Sequence, residues 1–177
     1  VVALALTACG SKNDTPAAAT LLQPVASIQE IMQAIVDPSA DALWESVSST
    51  VSSAGIEDKQ PQNDAEWVEL RHLALQIAEA GNLLVADGRV VAHAGHTLED
   101  AHIQGILAPT EIQQKIAADR PTFAQKAAAL QQAAQQIIAA IDARDTARFL
   151  EAGGQLDHAC ESCHKQYWYP NDKVPTE

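Results

Sequence analysis

The chain has 177 residues, 47% of them hydrophobic and only 4% aromatic, which suits one domain whose core is built largely from Ala, Leu, Ile and Val. Acidic residues number 23 against 11 basic, a formal net charge of −12 that argues against nucleic acid or anionic lipid headgroups as partners and leaves room for a protein with a basic docking face. Neither a hydrolase-type nucleophile constellation nor a phosphate-binding Gly-rich loop is present, so no enzymatic activity is expected.

In chain order, Val1 to Ala8 is an apolar run too short to span a bilayer, and it reads as the tail of an export signal. Leu6-Thr7-Ala8-Cys9 resembles the bacterial lipobox, in which the signal is cut before the Cys and the thiol carries a diacylglyceryl group; an ordinary signal with an unmodified Cys9 is the rival reading. Residues 9–20 are poor in core-forming side chains and form a tether. The expected location is therefore periplasmic, with the domain lipid-anchored to a bacterial membrane through Cys9.

No long stretch alternates with period two, whereas several carry apolar residues at steps of three and four, so the fold class is all-α. Helix A carries Leu21, Val25, Ile28, Met32 and Ile35 and is expected to kink or break at Asp37-Pro38, with Asp37 capping a new segment that holds Leu43, Trp44, Val47 and Val51. Helix B starts at Asn63 or Asp64, carries Trp67, Leu70, Ala74, Ile77 and Leu84, and fades near Asp87-Gly88. The stretch from Asp87 to Asp119 is long for a helix-to-helix connection. Thr97-Leu98-Glu99-Asp100 offers a capping box for a short helix with Ile103, Ile106 and Leu107 on its edge, and a second small helix is expected over Thr110 to Ala118. Helix C carries Phe123, Ala127, Leu130, Ala134, Ile137 and Ile141, with Pro121 in its first turn. Helix D starts near Asp145 or Thr146, carries Phe149, Leu156, Cys160, Cys163 and Tyr167, and ends before Pro170. The expected architecture is a four-helix bundle over residues 21–169, with an inserted helical segment between helices B and C and a C-terminal tail over 170–177.

The chemistry is concentrated in Cys160-Glu161-Ser162-Cys163-His164, a CxxCH run that reads as a c-type haem attachment site. Two thiols about one helical turn apart can both add to the vinyl groups of one haem, and the adjacent imidazole then falls under the iron. Half a zinc site is the rival, but no second Cys pair is present; a redox dithiol would be expected to open a helix rather than close one.

With this motif at the end of the last helix, the chain resembles the class II cytochromes c, the cytochrome c-prime and cytochrome c-556 group. The resemblance covers roughly residues 21 to 169. It implies one covalent haem c, held by Cys160 and Cys163 with His164 as the proximal iron ligand, and it admits a homodimer through the first two helices. High-spin relatives leave the sixth position open behind an apolar pocket, whereas low-spin relatives fill it with a Met from the first helix. Met32 is the only Met in the chain and lies in that helix. It is the candidate sixth ligand, with core filling as the alternative. The function implied is that of a membrane-anchored monohaem electron carrier with unknown redox partners; the alternative is an open-site protein that binds nitric oxide or carbon monoxide.

The family's basic residue after the haem His, often an aromatic followed by Arg, is replaced here by Lys165 and then Tyr167-Trp168-Tyr169. Trp44 and Trp168 are candidates to wall the haem, or are simply core. Of the other histidines, His72 points away from helix B's apolar stripe, and His158 shares a helix with His164 and cannot reach the opposite face of the same haem. His93, His96 and His102 cluster in the inserted segment, where a metal site is the sharp reading and solvated side chains the plain one.

Overall fold

The computed structural model describes residues 23–53 and 55–170. Leu21, the lipobox with Cys9, the tether and residues 171–177 lie outside the described residues.

Chain entry is set by a capping box rather than by the apolar stripe. Ser27 accepts from the Glu30 N–H through its hydroxyl, and Glu30 returns a bond to the Ser27 N–H at 2.7 Å, so α1 begins at Ile28 (Ile28–Ile31). Val25, expected on the helical stripe, is 88% exposed and precedes the helix. From Met32 the chain passes into a π-helical turn (Met32–Val36) and then directly into α2 (Asp37–Ser46). Of the kink or break expected at Pro38 the break does not occur, the helix changing type instead, and Asp37 is not a cap; its own backbone is helical and its N–H reaches back five residues to the Met32 carbonyl. Pro38 supplies the reason, because it has no N–H for the carbonyl four residues back and its ring would crowd that carbonyl. The wider turn relieves this while keeping the helix continuous.

The expected helical continuation through Val47 and Val51 is also corrected. Antiparallel strands β1 (Ser48–Ser52) and β2 (Gly55–Lys59) form a hairpin with Ser48 opposite Lys59 and Ser52 opposite Gly55. All of β2 is exposed, so this ribbon is held by backbone pairing and carries no burial pattern that a sequence scan could catch.

The three long helices follow their sequence signals: α3 (Asp64–Leu84) is capped by Asn63, α5 (Arg120–Asp142) by Asp119 and α6 (Thr146–Tyr167) by Asp145. Short α4 (Pro109–Ala118) matches the second small helix expected in the insertion. The first does not form. Residues 97–107 are a run of turns, with bonds from the Ala101 N–H to the Leu98 carbonyl and from the Ile103 N–H to the Asp100 carbonyl. What replaces helical bonding is attachment to α1 and the π-helical turn: Gln29 donates to the Thr97 carbonyl and Gln33 to the Glu99 carboxylate. Buried Arg89 joins the same seam, donating to the Leu83 and Ala26 carbonyls.

The helices close a bundle in which α5 lies against both α3 and α6, while α2 packs on α3 and touches α6. Ala74, Ile77, Ala80, Ala134, Ile137, Ala140 and Leu156 lie at its fully buried centre. Gly81 lets α3 approach α5 closely, since a Cβ there would stand 3.0 Å from the Ala127 carbonyl oxygen and 3.2 Å from the Gln131 Cβ. No helix among the described residues is long and apolar enough to cross a membrane.

Candidate functional site

Towards one end of the bundle the walls part around a cavity of about 430 Å³. From α6 it receives Cys160, Cys163 and His164, which the helical repeat brings to one side of the helix. The α1–α2 side contributes Ile28, Met32, Val36, Asp37 and Trp44, while α5 closes the wall with Phe123, Lys126 and Leu130. A side chamber of about 150 Å³ shares Met32, Asp37, His164 and Trp168 with it and is roofed by Leu98 and Ile106 of the inserted segment. That roof is fastened to the end of α6 by the Leu107 N–H, which donates to the Trp168 carbonyl at 2.8 Å.

The electrostatics keep the donor set neutral. Burial pushes the Cys160 thiol up to about 12 and the Cys163 thiol up to about 11, the latter opposed by the charge of Lys126. Burial also lowers the pKa of His164, against the pull of Asp37 and Glu161. Both thiols therefore carry their protons at neutral pH and the imidazole keeps a free lone pair. Glu161, inside the CxxCH run, accepts from the Tyr169 hydroxyl at 2.5 Å and pairs with Lys165 at 3.0 Å, and these bonds hold its carboxyl below the usual range. Ser162, its neighbour, accepts from the Lys126 ammonium at 2.5 Å. The His164 ring lies 6.0 Å from that of Trp168 and 6.1 Å from that of Tyr169.

Of the side chains singled out in the sequence, the structure brings together Cys160, Cys163, His164, Met32, Trp44 and Trp168. It does not bring together the histidines of the insertion. His93 pairs instead with Glu30 at 2.9 Å, and although the His93 and His96 rings lie 6.2 Å apart, no group of three metal-ligating side chains forms among the described residues. Their segment is not helical, which removes the shared face that the metal reading required. His72 is 60% exposed, as expected, and His158 lines a separate groove between α5 and α6.

Asp37, Asp41, Asp157 and Lys126 also line the cavity; none was read from the sequence as a site residue, Asp37 being expected only as a helix cap. Burial pushes the Asp37 carboxyl up, opposed by His164 and reinforced by Asp41 and Glu99. A readable signal did exist for part of this set. Asp37 and Asp41 stand four apart on a helix continuous with Met32, and Lys126 adjoins the apolar stripe through Phe123, Ala127 and Leu130.

A helical bundle whose last helix turns two protonated thiols and a neutral imidazole into one apolar-walled cavity is a c-type haem protein, because that donor set suits thioether attachment plus axial ligation and lacks the further ligands of a zinc centre. Residues 86–168, a little under half of the chain, match the family model described as Cytochrome C', and the match supports a class II, cytochrome c-prime-like family with one covalently attached haem c per chain. No curated protein and no solved structure matches the chain. The matched span holds α4, α5 and α6, hence the whole attachment motif; Met32 lies outside it.

Proposed function

We propose that this haem c cytochrome carries single electrons outside the bacterial cytoplasm, with the iron held between His164 and Met32. The observation that carries the reading is that Met32, the chain's only Met, and His164 line the same cavity from two different elements. The π-helical turn that begins at Met32 supports it, since such turns are often found where a side chain must be aimed. Haem c, when bound, would supply a one-electron iron couple, and ligation by the Met32 thioether together with the His164 imidazole would raise its potential. The protein's own part is to exclude water with Ile28, Val36, Phe123 and Leu130, to keep the His164 imidazole neutral by burial, and to hold Cys160 and Cys163 at attachment distance on one helix. No substrate chemistry is assigned to it.

The second reading is an open sixth position that binds nitric oxide or carbon monoxide, favoured by Met32 falling outside the family match. An absorption spectrum of both redox states, with and without carbon monoxide, separates the two. A low-spin spectrum with a sulfur-to-iron band, indifferent to the gas, supports Met32 ligation; a high-spin spectrum that shifts with gas replaces it with the ligand-binding reading.

Cys9 is proposed as the acylated anchor, with the tether of residues 9–20 setting the domain off the membrane. A Cys9→Ser chain is then recovered in the soluble fraction of the periplasm; its continued sedimentation with membranes would remove the anchor from the account.

A further inference from the structure

We infer that the apolar groove between α2 and the first half of α6 is a docking face for a redox protein with a basic rim, with Trp44 as its central contact; this rests on the electron-carrier reading. The groove encloses about 330 Å³ and is lined by Leu43, Trp44, Val47, Phe149, Leu150 and Gly154. Trp44 and Asp157 line both this groove and the haem cavity, so one indole separates a docked partner from the cofactor's chamber.

Trp44 is 38% exposed, and its Nε1–H donates to the Gly153 carbonyl at 3.1 Å, which fixes the ring's orientation against α6. Leu150 is 50% exposed beside it. Gly154 adds an independent observation: a Cβ there would meet nothing within 4 Å, and its backbone is helical, so neither packing nor a left-handed conformation calls for glycine. Glycine weakens a helix relative to alanine, yet here it leaves the groove floor bare. A fixed, half-exposed Trp within an apolar patch is the anatomy of a protein-binding hot spot.

Charge selects the partner. Asp37, Asp41 and Glu45 stand four residues apart along α2, which has no base to offset their repulsion, and on α6 Asp157 lines the groove itself while Glu151 and Arg148 offset one another. On a chain of net charge −12, a partner presenting lysines or arginines around an apolar tip is the complementary one.

The test uses the haem-loaded protein and, as probe, a lysine-rich mitochondrial-type cytochrome c, with both proteins reduced so that no electron moves. Titration at low salt shifts the Trp44 indole N–H resonance saturably and leaves that of buried Trp67 in place, and added salt abolishes the shift. Leu150→Lys weakens the association about tenfold or more. It leaves the optical spectrum unchanged and the rate of electron exchange with hexaammineruthenium within about twofold of wild type. A motionless Trp44 resonance, or undiminished binding by Leu150→Lys, overturns the docking face. If the wild-type protein exchanges no electrons even with hexaammineruthenium, the electron-carrier reading falls and takes the docking face with it. If it does exchange them while Trp44 stays silent, the docking face alone falls.

Discussion

The two walls of the haem cavity are built differently. The α6 wall is a regular helix from Thr146 to Tyr167, capped by Asp145, and its three haem-directed side chains stand where an uninterrupted helical repeat puts them. The wall bearing Met32 changes helix type at that residue, carries Pro38 six positions on and ends in a hairpin. Only the first of these walls lies within the family match. A covalent attachment needs two thiols and an imidazole in one local arrangement, which a short motif on one helix provides. A sixth ligand from Met32, as proposed, would depend on a second element folded against the first, so its geometry would be set by packing rather than by local spacing.

The largest expected effect comes from asking whether the second wall ligates at all. Met32→Ala is expected to turn a low-spin haem high-spin, abolish the sulfur-to-iron band and lower the reduction potential by on the order of 100 mV, a fraction of the range that axial ligation spans. Absorption spectra and a redox titration read this directly. A spectrum and potential equal to those of wild type would make Met32 a core residue and leave the two walls unequal in function as well as in form.

This contrast also explains what the sequence disclosed. Two of the long helices were legible because their caps Asn63 and Asp145 coincide with the onset of apolar periodicity, and the third because Pro121 and an Ala-rich apolar stripe mark its start. In the first helix the signals conflicted. An apolar stripe through Val25, Met32 and Ile35 pointed to an early start, whereas Ser27 and Glu30 set a later one. The π-helical turn then shifted burial to Ile31 and Val36, leaving Met32 and Ile35 only partly covered. Local propensity cannot encode that extra residue per turn, because it is chosen by the clash at Pro38 and by packing on α3. The failed helix over 97–107 is similar: Thr97 and Glu99, read as parts of a cap, make their bonds to Gln29 and Gln33 far away in the chain. Within the cavity the motif residues were legible; Asp37, Asp41 and Lys126 carried only the weak signal of their helical spacing and Asp157 none, since only the closed bundle shows which charged side chains border the chamber.

A middle-sized effect tests the α3–α5 seam, between the helix that α2 packs on and the helix that α6 packs on. Gly81 on α3, outside the family match, touches Ala127 and Gln131 on α5, inside it. Gly81→Ala places a methyl against a backbone carbonyl that cannot swing aside, and overpacking of this kind costs about 1–3 kcal/mol, more than the gain in helix propensity from removing glycine. Thermal unfolding is expected to fall by several degrees; a rise would mean that α3 can slide on α5 and that the seam is looser than the distances imply.

The smallest effect lies at the start of the Met32 wall and is read by its pH dependence. Bonds from the Ser27 backbone and hydroxyl, assisted by His93, lower the pKa of the Glu30 carboxyl in the folded chain. A folded value below the unfolded one means that the charged form favours folding. The contribution is therefore complete above the unfolded value near 4.5 and disappears as the pH falls through the lower folded value. Glu30→Gln is expected to unfold slightly earlier than wild type at neutral pH and to converge with it in acid. If Met32 is held in place through this cap, the variant also weakens the sulfur-to-iron band at neutral pH and not merely the unfolding midpoint. Convergence of stability without any change in the band would confine the cap to chain entry and leave the aim of Met32 to the π-helical turn alone.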